Sequence, residues 1–491
     1  MNILMVYPEF PETFWSFRHA LKFVHKRASS QPLGLITVAA LIPEQWQKRL
    51  IDMNVRALTD KDLKWADMVF ISAMVVQKKS VLEVIKRCNA IGVKVIAGGP
   101  LFTQEYQHFT GVDTFILNEG ELTIPPFLAD LEQGHPKPLY TTTEFPDIKK
   151  TPIPMWNLVE MNQYDSMSIQ FSRGCPFNCD FCNITSLLGH VPRTKSGAQI
   201  IAELDALYAL GWRRNIFFVD DNFIGNKRIL KSEILPALIE WRKGKVGCSF
   251  MTEASINLAD DPELMRMMVM AGFNNIFVGI ETPDESSLEE CNKTQNKNRD
   301  LVESVKRLQR AGLQVMGGFI VGFDSDSPSI FQKQIDFIQK SGIVTAMVGL
   351  LQAPVGTRLY QKMEQEGRLV KDISGDNTGG TTNIIPKMNR DALQAGYLDI
   401  VRTIYSPKVF YDRVKVFLTE FNPGNSVVTI QAQEILAFFR SIFYLGILNN
   451  GRLEYWKLFF WSLFRHPKKF PLAITFSIYL FHFQKVSAAV S

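Results

Sequence analysis

Arg173-Gly174-Cys175-Pro176-Phe177-Asn178-Cys179-Asp180-Phe181-Cys182 places three thiols within a run of ten residues. Their spacing, C-x3-C-x2-C, lets all three turn toward one point where a strand gives way to a loop. Thiolates are soft ligands that select zinc, Cu(I) or iron–sulfur clusters. Gly174 and Pro176 would let the backbone fold tightly around a cluster, and Phe181 would shield it. An iron–sulfur cubane usually takes four Cys ligands, so three local thiolates leave one iron open for another ligand. A structural zinc site is the alternative. It needs four protein ligands, commonly as two paired half-sites, and His190 is the nearby candidate to complete it. Cys88, Cys248 and Cys291 are scattered and read as buried free thiols.

Outward from this run, the chain resolves into strands alternating with helices. Strands are predicted at Ser168–Ser172, Asn215–Val219, Ser249–Glu253, Asn275–Ile280, Gln314–Val321 and Ala346–Leu351. Helical spacing fills Ser196–Leu210, Asn226–Lys243, Pro262–Ala271, Asp300–Ala311 and Pro328–Lys340, each followed by a glycine. Six strands fall short of the eight in a closed (β/α)8 barrel, so a partial (β/α)6 barrel is expected over residues 166–365. The cysteine run sits at the end of its first strand. Residues 1–135 alternate in the same way and predict a parallel, Rossmann-like sheet, whose ligands bind beyond the carboxyl ends of the strands. Residues 136–165 are rich in Pro and Thr and read as a linker, with Met155-Trp156 docked on one domain. Residues 366–491 read as a helical C-terminal domain. The fold class expected is therefore α/β with a helical extension.

Composition sets the remaining bounds. A chain of 491 residues should hold two or three domains. Its apolar fraction of 46% excludes disorder. Six cysteines, half of them clustered, do not make a disulfide framework, so a reducing cytoplasm is expected. Met1–Tyr7 reads as a first strand rather than a signal peptide. A net charge of +5 does not announce a nucleic-acid binder.

The cysteine run resembles the cluster motif of the radical S-adenosylmethionine (SAM) family. The resemblance implies a [4Fe–4S] cluster on Cys175, Cys179 and Cys182, with SAM chelated at the open iron. It also implies SAM contacts at the strand ends. Asp220, Asp221 and Asn222 would receive the methionine ammonium, although a helix N-cap is the other use for such residues. Glu253 is a lone charge ending an apolar strand, costly unless paired, with SAM, substrate or a neighbouring Arg as partner. Glu281 matches the carboxylate near the ribose, and Ile320 and Gly322 match the segment packed on the adenine.

The first domain resembles the cobalamin-binding Rossmann-like domain that precedes some radical SAM barrels. Ser72-Ala73-Met74 and Gly98-Gly99 fall where that family holds the nucleotide tail of cobalamin. It departs where mutases carry D-x-H-x-x-G, because Pro8-Glu9-Phe10-Pro11-Glu12 has no histidine. A lower cobalt face free of protein imidazole is therefore expected, with His19 and His25 as ordinary residues. Together these features resemble class B radical SAM methyltransferases, in the subgroup that includes methylases of hopanoid lipids and bacteriochlorophylls.

That resemblance implies two SAM molecules. One methylates cobalamin, and the other is cleaved at the cluster to abstract hydrogen from an unactivated carbon. The substrate expected is a small hydrophobic metabolite of the lipid or tetrapyrrole class, and the reductant a flavodoxin or ferredoxin. A radical rearrangement or oxidative cyclisation without methyl transfer stays open. An RNA-modifying enzyme would want a second three-cysteine cluster and a basic appendage, and no nucleic-acid partner is expected. The tail carries Tyr455–Arg465, loaded with aromatics, then the apolar run Phe470–Phe483. That run is too short to span a bilayer. It reads either as a helical pair packed on the barrel or as a peripheral membrane contact.

Overall fold

The structure is a computed structural model, and it describes residues 1–370, 374–423 and 432–490. Parts of the expected C-terminal domain, at 371–373, 424–431 and 491, lie outside the described residues. Strands β1 (Asn2–Tyr7), β2 (Gln47–Asp52), β3 (Met68–Ser72), β4 (Lys94–Gly98), β5 (Thr114–Ile116) and β6 (Leu139–Tyr140) form one parallel sheet in the order β2-β1-β3-β4-β5-β6. Ile3, Leu4, Met5 and Val6 are all fully buried, as expected of a strand covered by helices on both faces. The order reverses between β1 and β3, which opens a crevice at their carboxyl ends. Strand β6 lies within the expected linker. Its Pro136 and Pro138 resemble linker punctuation, yet Phe115 N donates to the Pro138 carbonyl at 2.8 Å and extends the sheet. Pro43 helps end the first long helix, Leu33–Leu41.

The second sheet holds β7 (Met167–Ile169), β10 (Asn215–Phe218), β11 (Ser249–Glu253), β12 (Phe273–Glu281), β13 (Gln314–Val321) and β14 (Ala346–Leu350). Each pairs in parallel with the next in sequence, giving an open six-stranded barrel with helices outside. The first predicted strand does not run through to Ser172. It stops at Ile169, and β8 (Ser172–Arg173) instead pairs antiparallel with β9 (Arg193–Thr194). The cause is Asp220, whose carboxylate accepts from Phe171 N at 3.1 Å and from both the amide and hydroxyl of Ser172. These bonds bend the chain out of the barrel just before the cysteines.

An open barrel has a free edge, and this one is sealed in two ways. Gln31 pairs its amide with Ser168, Nε2 to O at 3.0 Å and N to Oε1 at 2.9 Å, standing in for a neighbouring strand. Trp15, on the long excursion after β1, reaches Phe277 at 5.4 Å between ring centroids. Its Nε1 donates to Met347 Sδ at 2.9 Å. The helix Phe470–Val490 holds this plug in place. Phe14 stacks on Phe483 at 4.4 Å, and His482 Nε2 lies 2.9 Å from the Phe14 carbonyl. Burial pushes the His482 pKa down to about 4, so the neutral ring donates this bond. The apolar run Phe470–Phe483 thus packs on protein, and no helix among the described residues is long and apolar enough to cross a membrane.

The two sheets are locked by charge. Arg173 Nη1 bonds Glu119 Oε2, and Arg173 Nη2 bonds Glu121 Oε1 at 2.9 Å. Arg193 Nη2 reaches Glu119 Oε1 at 2.7 Å. All four side chains are largely buried. Met155 packs on the first sheet while Trp156 enters the barrel core, so this pair bridges both domains. Removing one charge from a buried network strands its partners at a cost of about 3–5 kcal/mol. Glu119→Gln is therefore expected to lower the first denaturant-induced unfolding transition by that amount. An unchanged midpoint would mean the network contributes nothing to domain docking.

Candidate active site

The bend imposed by Asp220 delivers Cys175, Cys179 and Cys182 onto the carboxyl end of the barrel, each half-buried. Several bonds shape their loop. Cys175 N donates to Gly189 O at 3.2 Å, and Asp180 N to Cys291 O at 3.1 Å. Asn292 Nδ2 donates to Asn178 O at 2.9 Å, and Gln295 Nε2 lies 3.7 Å from Cys179 Sγ. Phe181 packs with Ile320 and Phe323. All six cysteines are free. Among the described residues no three His, Cys, Asp or Glu side chains converge tightly enough to mark a metal site by geometry alone. The case for a cluster therefore rests on donor chemistry and surroundings.

Those surroundings are cationic on one side. Lys293 is nearly buried and bonds Glu281 Oε1 at 2.7 Å. Glu281 and the charges of Cys179 and Cys182 raise its pKa against the pull of burial, so it remains an ammonium. It also lies 5.9 Å from the centre of the Phe181 ring. Burial pushes the Cys182 thiol up to about 12 and raises Cys175, with Lys293 opposing both shifts. Ligation by iron requires thiolates, and Lys293 compensates the negative charge that ligation brings. Sequence reading missed Lys293, which belongs to no motif. The turn after the helix Glu285–Glu290 carries it back onto the cysteine loop. A Cβ at Gly279 would meet Glu281 Oε1 at 2.3 Å and Lys293 Nζ at 2.9 Å, so only glycine leaves room for the pair.

On the other side the strand ends are acidic. Asp220 is committed to Phe171 and Ser172, yet burial still pushes its pKa up to about 7. Asp221 keeps one buried oxygen, Oδ2, without a hydrogen-bond partner among the described residues, and burial pushes its pKa up to about 6. The side chain of Glu253, ending β11, makes no hydrogen bond among the described residues. Burial, then repulsion from Asp221 and Asp220, pushes it up to about 8. Asn222 accepts from Ser255 N at 3.2 Å, and Asn226, not Asn222, caps the next helix at Ile229 N. The chain thus gathers three carboxylates, none of them ion-paired among the described residues, beside a set of soft donors. That combination suits an anionic cluster and a cationic ligand lying together.

Glu281, Ile320 and Gly322 complete the same rim. Gly322 N donates to Asp326 Oδ2 at 2.8 Å, which fixes the turn after β13. The first sheet's candidates meet one another as well. Ser72 and Gly98 are register partners, and a Cβ at Gly99, with φ +86°, would meet Ser72 Oγ at 2.5 Å. Gln77 Nε2 donates to Pro8 O at 2.5 Å across the crevice. His19 is engaged with Glu12 at 2.6 Å, and His25 with Arg440. A Cβ at Gly375 would meet Val76 N at 2.5 Å, and Gln104 Nε2 donates to Val355 O at 3.0 Å. The carboxyl ends of the first sheet are therefore tied to the loops at the mouth of the barrel.

Family models agree with this two-sheet arrangement. The B12 binding domain matches residues 27–128, the radical SAM superfamily residues 169–338, and a domain of unknown function residues 357–491. An uncharacterized methyltransferase of Synechocystis sp. is 41% identical over 98% of this chain and 91% of its own length. The hopanoid C-2 methylase of Rhodopseudomonas palustris is 33% identical over 93% of this chain and 88% of its own length. This chain belongs to the cobalamin-dependent radical SAM methyltransferases. The methyltransferase also shares its fold with a cobalamin-dependent SAM radical enzyme, OxsB, solved with aqua-cobalamin and SAM. The TM-score is 0.63 over 99% of this chain and 80% of the other, at 16% identity. The methyltransferase TsrM from Kitasatospora setae, solved with cobalamin and a [4Fe–4S] cluster, gives 0.59 over 93% of this chain and 98% of its own, at 14% identity. The methyltransferase described here uses a [4Fe–4S] cluster, SAM and cobalamin.

Proposed function

We propose that this methyltransferase adds a methyl group to an unactivated carbon of a small hydrophobic metabolite, of the lipid or tetrapyrrole class. The observation that carries this reading is the concave face of the barrel. Strand alternation turns Phe217, Met251, Phe277 and Met347 inward, half-buried, with Trp15 laid against the last two. Asn215 and Ser249 stand at the amino end of that face and bond each other, and the carboxylates stand at the carboxyl rim, so an apolar body between them meets apolar side chains. The hopanoid methylase, and the bacteriochlorophyllide d C-12(1)-methyltransferase of Chlorobaculum tepidum at 26% identity, support the substrate class.

Cys175, Cys179 and Cys182 would hold the cluster, with Lys293 balancing its charge. Asp221 and Glu253 would take the ammonium of SAM, with Asn222 beside them. Glu281 would sit by the ribose, and Ile320 and Gly322 by the adenine. Ser72, Gly98 and Gly99 would line the cobalamin tail. When bound, the cluster supplies an electron, SAM the hydrogen-abstracting group and the methyl, and cobalamin carries that methyl. The chain's own part would be to hold these groups at one chamber and to exclude water from it, with Gln31 and Trp15 closing the barrel edge. A flavodoxin- or ferredoxin-type donor in a reducing cytoplasm would supply the electrons.

The test is anaerobic reconstitution with iron, sulfide and cobalamin, followed by incubation with SAM and lipid or pigment extracts. A product heavier by one methylene supports the reading. A product of unchanged mass would instead show rearrangement, and one lighter by two hydrogens an oxidative cyclisation.

A further inference from the structure

Among the described residues, eleven of the 22 large apolar side chains that stand exposed fall between Ile435 and Phe464. Such residues scattered singly need no explanation, but a contiguous patch does. These lie on two packed elements. One is the helix Ala432–Ser441 with its wide-turn continuation Ile442–Leu448, and the other is the helix Arg452–Arg465. Trp456 Nε1 donates to Gly446 O at 2.9 Å and joins them. Along the second helix Trp456, Phe460 and Phe464 stack in a ladder, at 5.7 and 6.3 Å between centroids. Leu453 is 71% exposed and Phe464 78%.

Charge decides what covers this face. Residues 432–490 contain seven Lys and Arg against two Asp and Glu, a surplus equal to the whole chain's net charge of +5. Arg452, Arg465 and Lys468 are exposed around the ends of the second helix, and none has an acidic partner among the described residues. A second copy bound through the same face would set these cations against their own equivalents. An apolar, aromatic face rimmed by Lys and Arg is how a helix lies in the interface of an anionic bilayer.

We propose that Ala432–Leu448 and Arg452–Arg465 form a monotopic docking face for an anionic lipid bilayer. The face differs from the tail run Phe470–Phe483, which is spent on the barrel plug. It adjoins that plug, since Arg440 Nη1 donates to Phe23 O at 3.0 Å. The proposal does not rest on the methyl-transfer reading, because vesicle binding and SAM cleavage are measured separately.

The test is co-sedimentation of the full chain with phosphatidylglycerol–phosphatidylcholine vesicles and with phosphatidylcholine alone. Binding is expected to the anionic vesicles, weakened by high salt. The double variant Phe460→Ser/Phe464→Ser should lower the partition coefficient about tenfold or more. Arg465→Glu/Lys468→Glu should do so without touching the apolar face. Met270→Ser, at an exposed apolar position on another helix (55%), should change nothing. Wild-type protein left in the supernatant would overturn the proposal. So would variants that bind as wild type, or a dimer dispersed by Phe460→Ser/Phe464→Ser without any lipid binding.

Discussion

Cys182→Ala is expected to leave a folded chain that reconstitutes to background iron and no longer cleaves SAM. Wild type should take up about four iron atoms per chain. The expectation follows from how few ligands the loop offers. Only Cys175, Cys179 and Cys182 are both near one another in sequence and half-exposed at the barrel mouth. Cys291 is the nearest substitute, since its carbonyl accepts from Asp180 N at 3.1 Å within the same loop. Its thiol is buried, however, and burial pushes it up to about 12. The Cys291 Sγ faces the Leu288 carbonyl of its own turn at 3.7 Å rather than the cysteine loop, so Cys291 should not rescue the variant. Zinc binding with retained SAM cleavage would sink the account outright. Iron content and ultraviolet–visible absorption after anaerobic reconstitution read the first outcome, and 5′-deoxyadenosine yield the second. Because Cys182 supports no other side chain by hydrogen bonding among the described residues, the variant's melting curve should match that of the unreconstituted wild type.

What could be read from sequence depended on how local the cause was. The strands Ser249–Glu253 and Gln314–Val321 and the helix Pro262–Ala271 were legible to the residue. Each is an apolar run or helical stripe, and the helix is bounded by Pro at its start and Gly at its end. The split after Ile169 was not legible, because its cause is the carboxylate of Asp220, some fifty residues on. The same holds for Lys293, Gln31 and Trp15. Each acts on a distant part of the chain, and nothing in its neighbours announces it. The helix Pro100–Glu105 was missed for another reason, being too short to display a period. The tail was half legible. Its aromatics beside Lys and Arg marked a surface of special character, but only packing shows that Phe470–Phe483 is largely buried while Arg452–Arg465 keeps an exposed apolar face.

The acidic strand ends make the second large prediction, which concerns pH. Glu253, Asp220 and Asp221 all have pKa values pushed above the ordinary carboxylate range, to about 8, 7 and 6. From about pH 4 upward the unfolded chain has released these protons while the folded chain still holds them. The folded state then binds more protons than the unfolded state, so its stability falls as pH rises. The loss should run from about pH 4 to about pH 8 and be complete above that. Glu253→Gln removes the group titrating latest and relieves Asp220 and Asp221 of its repulsion. The ligand-free variant should therefore be more stable than wild type at pH 8.5, by about 2–3 kcal/mol, and equal to it near pH 4. The same substitution removes the carboxylate proposed to take the SAM ammonium. Reconstituted Glu253→Gln should therefore bind SAM at least about 100-fold more weakly, in the range for deleting one partner of a buried charge pair. Thermal melts across pH 4–9 and calorimetric titration with SAM separate the two effects. Parallel melting curves for wild type and variant would show that Glu253 carries no buried charge. A gain in stability with undiminished SAM affinity would place the ammonium elsewhere on the rim.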